Sequence, residues 1–480
     1  MTPEEFRAAA HQLVDWVADH RERIATLPVR AQVQPGDVRA QLPSEPPEGG
    51  ETIGALLTDL EQIIVPGVTQ VQHPMHFGWF PSNASLASVL GDIASGGLGS
   101  LGISWESSPA LTELEQVVCD WMRQLLGLSE DWHGTIVDTA STAALVAMIV
   151  ARERASDMSR DNGGLQSATQ PLVIYTTEQA HSSIIKGALL AGFGDHNVRR
   201  VPTDSQSHAM RPDLLRKALE EDLQAGRKPA AIVATVGSTS VTAMDPVAGI
   251  VHIGKEYGCW VHVDAAMAGS AMLLRECRWM WHGVEGADSV SLNPHKWMGT
   301  ILDCSLLYVR DPAALTRVFS TNPPYLRSGV DDEVVQYRDW SIPLGRRFRA
   351  LKLWFHLRID GPGAIRARLR GDLEDAQWFA EQVARTPQWE LVAPVSLQTV
   401  CVRHTPANAD AGLRSAHNAR WVAALNASGD AFLSVAELAG ETIVRVSIGV
   451  EGSDRSHLQR LWELMQARAS DAEDALDAQH

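Results

Sequence analysis

The chain of 480 residues is poor in cysteine and in tyrosine, with five of each, and no window approaches 18 uninterrupted apolar residues. Cys119, Cys259, Cys277, Cys304 and Cys401 are scattered without any CxxC spacing. That distribution argues against a disulfide framework or a cysteine zinc site and suits a reducing cytoplasm. The missing apolar run leaves no membrane span to expect. The opening MTPEEFRAAAHQLVDWVADHRERI also lacks the basic start and apolar centre of a signal peptide. Basic charge is short as well: 41 Lys and Arg stand against 58 Asp and Glu, a net charge of −17. Nucleic-acid binding needs a basic face, so no nucleic-acid partner is expected. One basic cluster runs the other way (Arg346, Arg347, Arg349, Lys352, Arg358). Its plain reading is a structural helix paired with acidic neighbours.

With 45% hydrophobic and 21% charged residues, the composition is that of a globular protein with one large core and one or two smaller ones. Thr2-Pro3-Glu4-Glu5 starts a helix over 3–26, with Phe6, Leu13, Val14, Trp16 and Val17 as its apolar stripe. A Pro/Gly-rich connector at 35–50 precedes a second amphipathic helix near 52–64. Short apolar runs follow at 171–177, 230–237, 259–266 and 287–293. Helical stretches at 181–191, 213–224 and 246–257 separate the first three, the pattern of a parallel sheet covered on both faces. Beyond about 355, long helices (363–385, 412–427, 454–469) alternate with strand-like TVCVRH and TIVRVSIGV. The predicted organisation is an N-terminal helical and extended arm (1–85), a large α/β domain (86–357) and a small α+β domain (358–480).

Candidate chemistry concentrates in the middle. Thr139-Ala140-Ser141-Thr142 lies between the strand-like GTIV and a helix, where free backbone N–H groups and the helix dipole bind phosphate. The same residues also read as an ordinary N-cap. Asp264 ends an apolar strand in HVDAA, where a carboxylate needs a positive partner. At such a strand end it faces the ligand crevice of an open sheet and can pair with a protonated pyridine nitrogen. The small Ala265 and Ala266 would let a flat ring approach the backbone. Lys296, in NPHKW, follows another strand among proline and aromatics, a setting for a held and partly desolvated amine. A structural lysine paired with a core carboxylate is the alternative. His181 opens the helix after PLVIYTTEQA, as a helix-terminal histidine or as a plate stacked on a flat cofactor.

Other patterns carry less. Gly97-x-Gly99-x-x-Gly102 follows a helix rather than a strand, so a dinucleotide fold is unsupported. Ser183-x-x-Lys186 lacks the companion motifs of penicillin-interacting enzymes. His73 and His76 lack a third ligand, so no metal site is expected. His262 and Asp264 read as a buried strand pair.

Taken together, PGVTQVQHPMHFGWFPSNAS, SWESSPALTELE, EQAHSS, HVDAAMAGSA, NPHKW, PPYL and IPLGRRFRALKLW resemble the aromatic L-amino-acid decarboxylases, group II pyridoxal-phosphate (PLP) enzymes of fold type I. The resemblance spans nearly the whole chain in family order. It implies that Lys296 carries PLP as an imine, that Asp264 meets the pyridine nitrogen and that Ala266 packs on the ring. His181 would stack on the opposite face. Thr139, Ala140 and Ser141 would hold the phosphate with Asn293, while Thr239 and His295 complete the shell. Tyr325 would support proton return to the α-carbon from a mobile loop over roughly 320–340. Val71, Trp79, Phe80, Pro81, Ser82 and Ile103, with His181, would meet the substrate, Ile103 being supplied across a homodimer interface.

The implied activity is that of a cytoplasmic carboxy-lyase making an amine and CO2. Better-known animal members of the family carry Trp at Val71, Tyr at Trp79, Thr at Ser82, Phe at Ile103 and Tyr at Met267. Those changes reshape the cavity and point to a tryptophan or phenylalanine type of substrate ahead of dopa, with 5-hydroxytryptophan also admitted. The rivals are an aldehyde-forming decarboxylase and oxidative deaminase, an aliphatic amino-acid decarboxylase and a PLP-binding regulator. Retained Tyr325 speaks against the first, and retained Lys296, Tyr325 and Asp264 against the last.

Overall fold

Thr2 closes the first helix with a capping box: its hydroxyl accepts the Glu5 N–H, and the Glu5 carboxylate accepts the Thr2 N–H. The helix runs Pro3–Arg23 and buries none of its residues, so Phe6, Leu13 and Val14 stay exposed. The computed structural model describes residues 1–321, 329–331 and 333–477. The chain divides into two compact units. The larger comprises Ser82–Gln377 and Ala393–Val400. The smaller comprises Met1–Pro81, Trp378–Val392 and the residues from Cys401 onward.

This division differs from the three expected segments, because the N-terminal arm belongs with the C-terminal strands. Val29 N–H donates to Gly429 O and Phe77 N–H to Phe432 O, both at 2.9 Å, and Ser447 N–H donates to Phe77 O at 2.9 Å. Contacts more than 350 residues apart leave no local pattern in the sequence.

The larger unit is built on seven strands: β1 (His133–Val137), β2 (Leu172–Thr176), β3 (Val198–Arg200), β4 (Lys228–Thr235), β5 (Trp260–Asp264), β6 (Ser289–Leu292) and β7 (Ser305–Val309). Their order is β1-β7-β6-β5-β4-β2-β3. The pairs β2/β3, β2/β4, β4/β5 and β5/β6 are parallel, whereas β7 runs antiparallel to both β6 and β1. The fold is the expected mostly parallel fold-type I α/β architecture. The helix Ala140–Ala155 lies on this sheet; Ala143, Ala147 and Ala151 bring it close to Ile174, Val233 and Leu307 in one buried cluster. Truncating Ile174 to alanine in that setting costs about 2–5 kcal/mol.

The smaller unit holds β8 (Trp389–Leu391), β9 (Thr399–His404), β10 (Ser434–Leu438) and β11 (Glu441–Ser447), ordered β10-β11-β9-β8. The helix Gly361–Arg385 begins in the larger unit and ends in the smaller. The last helix, Arg455–Asp477, continues well past the expected 469. All five cysteines are buried and free. No helix among the described residues is long and apolar enough to cross a membrane.

The basic cluster is structural. Lys352 is buried with its ammonium 3.0 Å from Asp92 and 3.4 Å from Asp303. Arg346 is buried against Glu115 at 2.6 Å, and Arg349 pairs with Asp303 at 2.9 Å.

Candidate active site

β5 and β6 are parallel neighbours with Asp264 opposite Ser291, so both strands end at one edge of the sheet. There the Asp264 carboxylate is buried, and its Oδ1 accepts the Ala266 N–H at 3.0 Å in a turn that leads the chain off the strand. Among the described residues it has no Lys or Arg ion pair. A carboxylate so placed is costly until a cation reaches it.

Asn293, just past β6, donates its N–H to Ala266 O at 2.9 Å, and its Oδ1 accepts the Ser305 hydroxyl at 2.6 Å. These bonds tie the segment after β6 to the segment after β5. The turn Pro294–Met298 follows, with Lys296 breaking its helical course at φ −100° and ψ −122°. Gly299 ends the turn at φ +109°, a region where glycine carries no side-chain penalty. His295 is buried, and its Nδ1 accepts the Cys304 N–H at 3.0 Å. Burial, aided by the Lys296 charge, lowers its pKa to about 4, leaving a neutral ring at pH 7.

His181 caps the helix Ser182–Leu190, its Nδ1 accepting the Ser183 N–H at 3.2 Å. The residue keeps solvent exposure, yet the protein crowding its ring lowers its pKa. The Lys296 charge adds to that lowering and the Asp264 charge opposes it. His181, Asp264 and Lys296 lie at or just past the ends of the parallel strands β2, β5 and β6, all at one edge of the sheet.

At the start of the helix after β1, Thr139 has extended backbone geometry (φ −137°, ψ 164°), but its hydroxyl makes no cap bond. The first-turn N–H groups of Ala140 and Ser141 are therefore left without a side-chain cap, the arrangement that receives an anion. Thr239 lies half-buried in the turn after β4. That turn is tight: Gly237 has φ +78°, and a Cβ there would meet the Ala268 Cβ at 2.6 Å.

The residues suit PLP. The donor set has an amine for the aldehyde, a buried acid for the pyridinium and an uncapped helix start for the phosphate. Three buried polar atoms around the ends of β2 and β4, Thr176 Oγ1, Gln179 Oε1 and Thr235 Oγ1, have no hydrogen-bond partner, as in a polar site that expects a ligand.

The expected substrate residues are less gathered. Val71, Trp79, Phe80 and Pro81 belong to the smaller unit, and Ser82 and Ile103 to the larger. Trp79 is exposed at φ +51°, edge-on to Phe432 with ring centroids 5.0 Å apart. The Phe80 ring lies 4.9 Å from the Arg445 guanidinium. Tyr325 falls outside the described residues, as does part of the expected loop. His73 and His76 serve packing: His73 Nδ1 accepts the Met75 N–H at 2.9 Å, and His76 stacks on Phe432. His262 is hydrogen-bonded to Ser289 and Ser291, at 2.8 and 3.3 Å, rather than to Asp264.

Two groups of site-supporting residues escaped sequence reasoning. Asp245, fully buried, accepts the N–H groups of Thr235 (2.7 Å) and Met210 (2.6 Å) and so fixes the end of β4. Burial raises its pKa to about 6. Asp372 and Arg368 reach the Lys296 turn from a helix about 70 residues later. An acid in DPVAG is a weak signal, and the second pair leaves none.

The chain matches the pyridoxal-dependent decarboxylase conserved domain over residues 35–405. It is 40% identical to phenylacetaldehyde synthase of Arabidopsis thaliana over 98% of this chain and 97% of the relative. It is 38% identical to tryptophan decarboxylase 2 of Oryza sativa subsp. japonica over 98% of this chain and 95% of the relative. The solved Oryza sativa TDC with PLP and tryptamine superposes with a TM-score of 0.95 at 33% identity, covering 98% of this chain and 99% of that one. With a site made for PLP and near-complete coverage by such relatives, the chain belongs to the pyridoxal-dependent decarboxylase family and is a PLP-dependent amino-acid decarboxylase.

Proposed function

We propose that this enzyme removes the α-carboxylate of an aromatic L-amino acid, of tryptophan or phenylalanine type, and releases the amine and CO2. The observation that carries the reading is the convergence of Lys296, Asp264 and His181 at the strand ends. The tryptamine-bound rice relative supports the substrate class. Dopa and 5-hydroxytryptophan are further candidates.

Bound PLP supplies an aldehyde carbon for the amine and a ring that takes up the electrons of the broken bond. Lys296 would hold that aldehyde through its amine. Asp264 keeps a proton on the ring nitrogen, because a buried carboxylate favours the charged partner. His181 would pack against the cofactor and meet the substrate carboxylate, and the small Ala266 would leave room for the ring. Ala140 and Ser141 hold the phosphate through backbone N–H groups, with Thr139 and Asn293; Thr239 and His295 complete the shell. Tyr325 returns a proton to the α-carbon. Within the larger unit, Ser82 and Ile103 would receive the side chain.

The similarity to a phenylacetaldehyde synthase favours a second reading, in which oxygen is consumed and an aldehyde leaves. Tyr325, kept in this sequence, supports the amine. Incubating PLP-loaded protein with tryptophan, phenylalanine, tyrosine and dopa, with CO2, oxygen uptake and product mass recorded, separates the two. Amine with one CO2 and no oxygen uptake supports the proposal; aldehyde with oxygen uptake refutes it.

The working form in this reading is a cytoplasmic homodimer. On the helix Leu86–Leu98 and just beyond it, Leu86, Leu90, Ile93, Leu98 and Leu101 are all exposed, an apolar stripe that suits a second copy. The free cysteines suit a reducing compartment. Light scattering giving a monomer mass would refute the dimer.

A further inference from the structure

Three bonds hold the residues just after Lys296. The fully buried Trp297 donates its indole N–H to Asp372 Oδ2 at 2.7 Å. Arg368 Nη2 donates to Trp297 O at 2.7 Å and to Met298 O at 2.6 Å. Arg368 Nη1 lies 3.4 Å from Asp372 Oδ2, one helical turn along Gly361–Arg385. A carboxylate and a guanidinium on one helix face thus grip both the side chain and the carbonyls that follow Lys296.

Two further clasps close the turn. His295 Nδ1 accepts from Cys304 N–H, and the Thr300 hydroxyl lies 2.8 Å from His356 Nδ1. Backbone bonds also close the turn, with Gly299 N–H donating to Lys296 O at 3.2 Å and to Pro294 O at 3.1 Å; the side chains that grip Trp297 and Met298 are those of Asp372 and Arg368. We propose that Asp372 and Arg368 are positioning residues that set the direction of the Lys296 side chain toward the cofactor aldehyde. The inference rests on Lys296 being the cofactor lysine. The reaction they serve joins Nζ to the aldehyde carbon, with the aldehyde oxygen leaving as water.

Charge on Asp372 matters to the grip, since its ion pair orients the guanidinium. Burial raises the Asp372 pKa to about 6, against the opposing pull of Arg368 and the Trp297 N–H; Asp375 raises it further. Around the turn also lie Lys296, Cys304, Asp303, Lys352 and Asp360, with His295 and His356 both lowered to about 4. Asp372 is therefore the carboxylate here expected to titrate near pH 6, and the grip weakens as pH falls through that value.

The test follows bond formation by absorbance after PLP is added to the cofactor-free protein, with the pH profile of kcat recorded for the loaded enzyme. Displacing a reacting group by about 1 Å costs on the order of a hundredfold. Asp372→Asn keeps an acceptor for Trp297 but loses the charge. It is expected to slow bond formation about tenfold and lower kcat, with KM within about twofold, and to remove a kcat limb near pH 6. Trp297→Phe, which keeps the ion pair, tests the grip if Asp372→Asn does not fold; it is expected to slow bond formation by a smaller factor. A purely structural role would lower Tm and leave rate and pH profile in place. Unchanged bond formation in folded Asp372→Asn, or in Trp297→Phe when the first is unfolded, overturns the proposal. Lys296→Ala run in parallel keeps the two claims apart: if it still forms the covalent bond, the cofactor-lysine reading fails rather than the grip.

Discussion

The two edges of the seven-stranded sheet treat charge in opposite ways. At the edge where β5 and β6 begin, charged groups satisfy one another: Arg154 meets Asp288 at 2.8 Å, and Arg310 meets Asp131 at 3.3 Å. That edge also carries a cleft of about 560 Å³, lined by Asp131, His133, Arg154, Lys255, Asp288 and Arg310. At the edge where the strands end, Asp264 is buried without a basic ion-pair partner among the described residues, and Thr235 and Gln179 bury unpartnered atoms. In the cleft at the other edge, Arg154 and Arg310 are already met by Asp288 and Asp131. Incomplete satisfaction, rather than the size of the opening, marks the reactive edge.

Substitutions at the two edges should therefore separate by orders of magnitude. Lys296→Ala is expected to lower kcat/KM by at least about a thousandfold, as loss of a covalent-catalysis residue does. A fall of less than tenfold breaks the comparison at its strongest point. Asp264→Ala should retain PLP by absorbance yet lose about a hundredfold in kcat, since a fixed charge that stabilises the transition state is worth about 3 kcal/mol. Near-normal turnover in that variant removes the electron-sink role.

The next effect concerns stability. Burial lowers the His262 pKa from 6.5 to about 4, so below pH 6.5 the unfolded chain binds a proton that the folded chain refuses. Stability is full above that pH and is lost as pH falls toward 4, by about 3 kcal/mol at most from this one group. Chemical denaturation of the parent chain and His262→Gln across pH 4–7 tests the sign. A variant with the same pH slope would assign the loss to other groups. The smallest effect is expected at the far edge. Arg154→Ala, which breaks an exposed ion pair with Asp288, should cost about 1 kcal/mol or less and leave kcat/KM within about twofold.

Much of the reactive edge was legible because the signals are local. Apolar runs alternating with helices gave the parallel core, and an acid ending HVDAA or a lysine in NPHKW stands out against its neighbours. What stayed hidden depends on distance or on very short elements. β3 has three residues, and antiparallel β7 (SLLYV) reads like any buried strand. The joining of Phe77 to Phe432 and of Trp297 to Asp372 has no local trace, because each partner makes sense alone as a core aromatic or a helix-surface acid. The expected walls at Trp79 and Ile103 were legible only through resemblance. Their environment does not mark them as the buried acid marks Asp264.

The most direct measurement loads the protein with PLP, reduces it with borohydride and maps the modified peptide by mass. The account predicts a single pyridoxyl group on Lys296 in NPHKW, lost in Lys296→Ala. Modification of another lysine, or none in a protein that still releases CO2 from an aromatic amino acid, would contradict it.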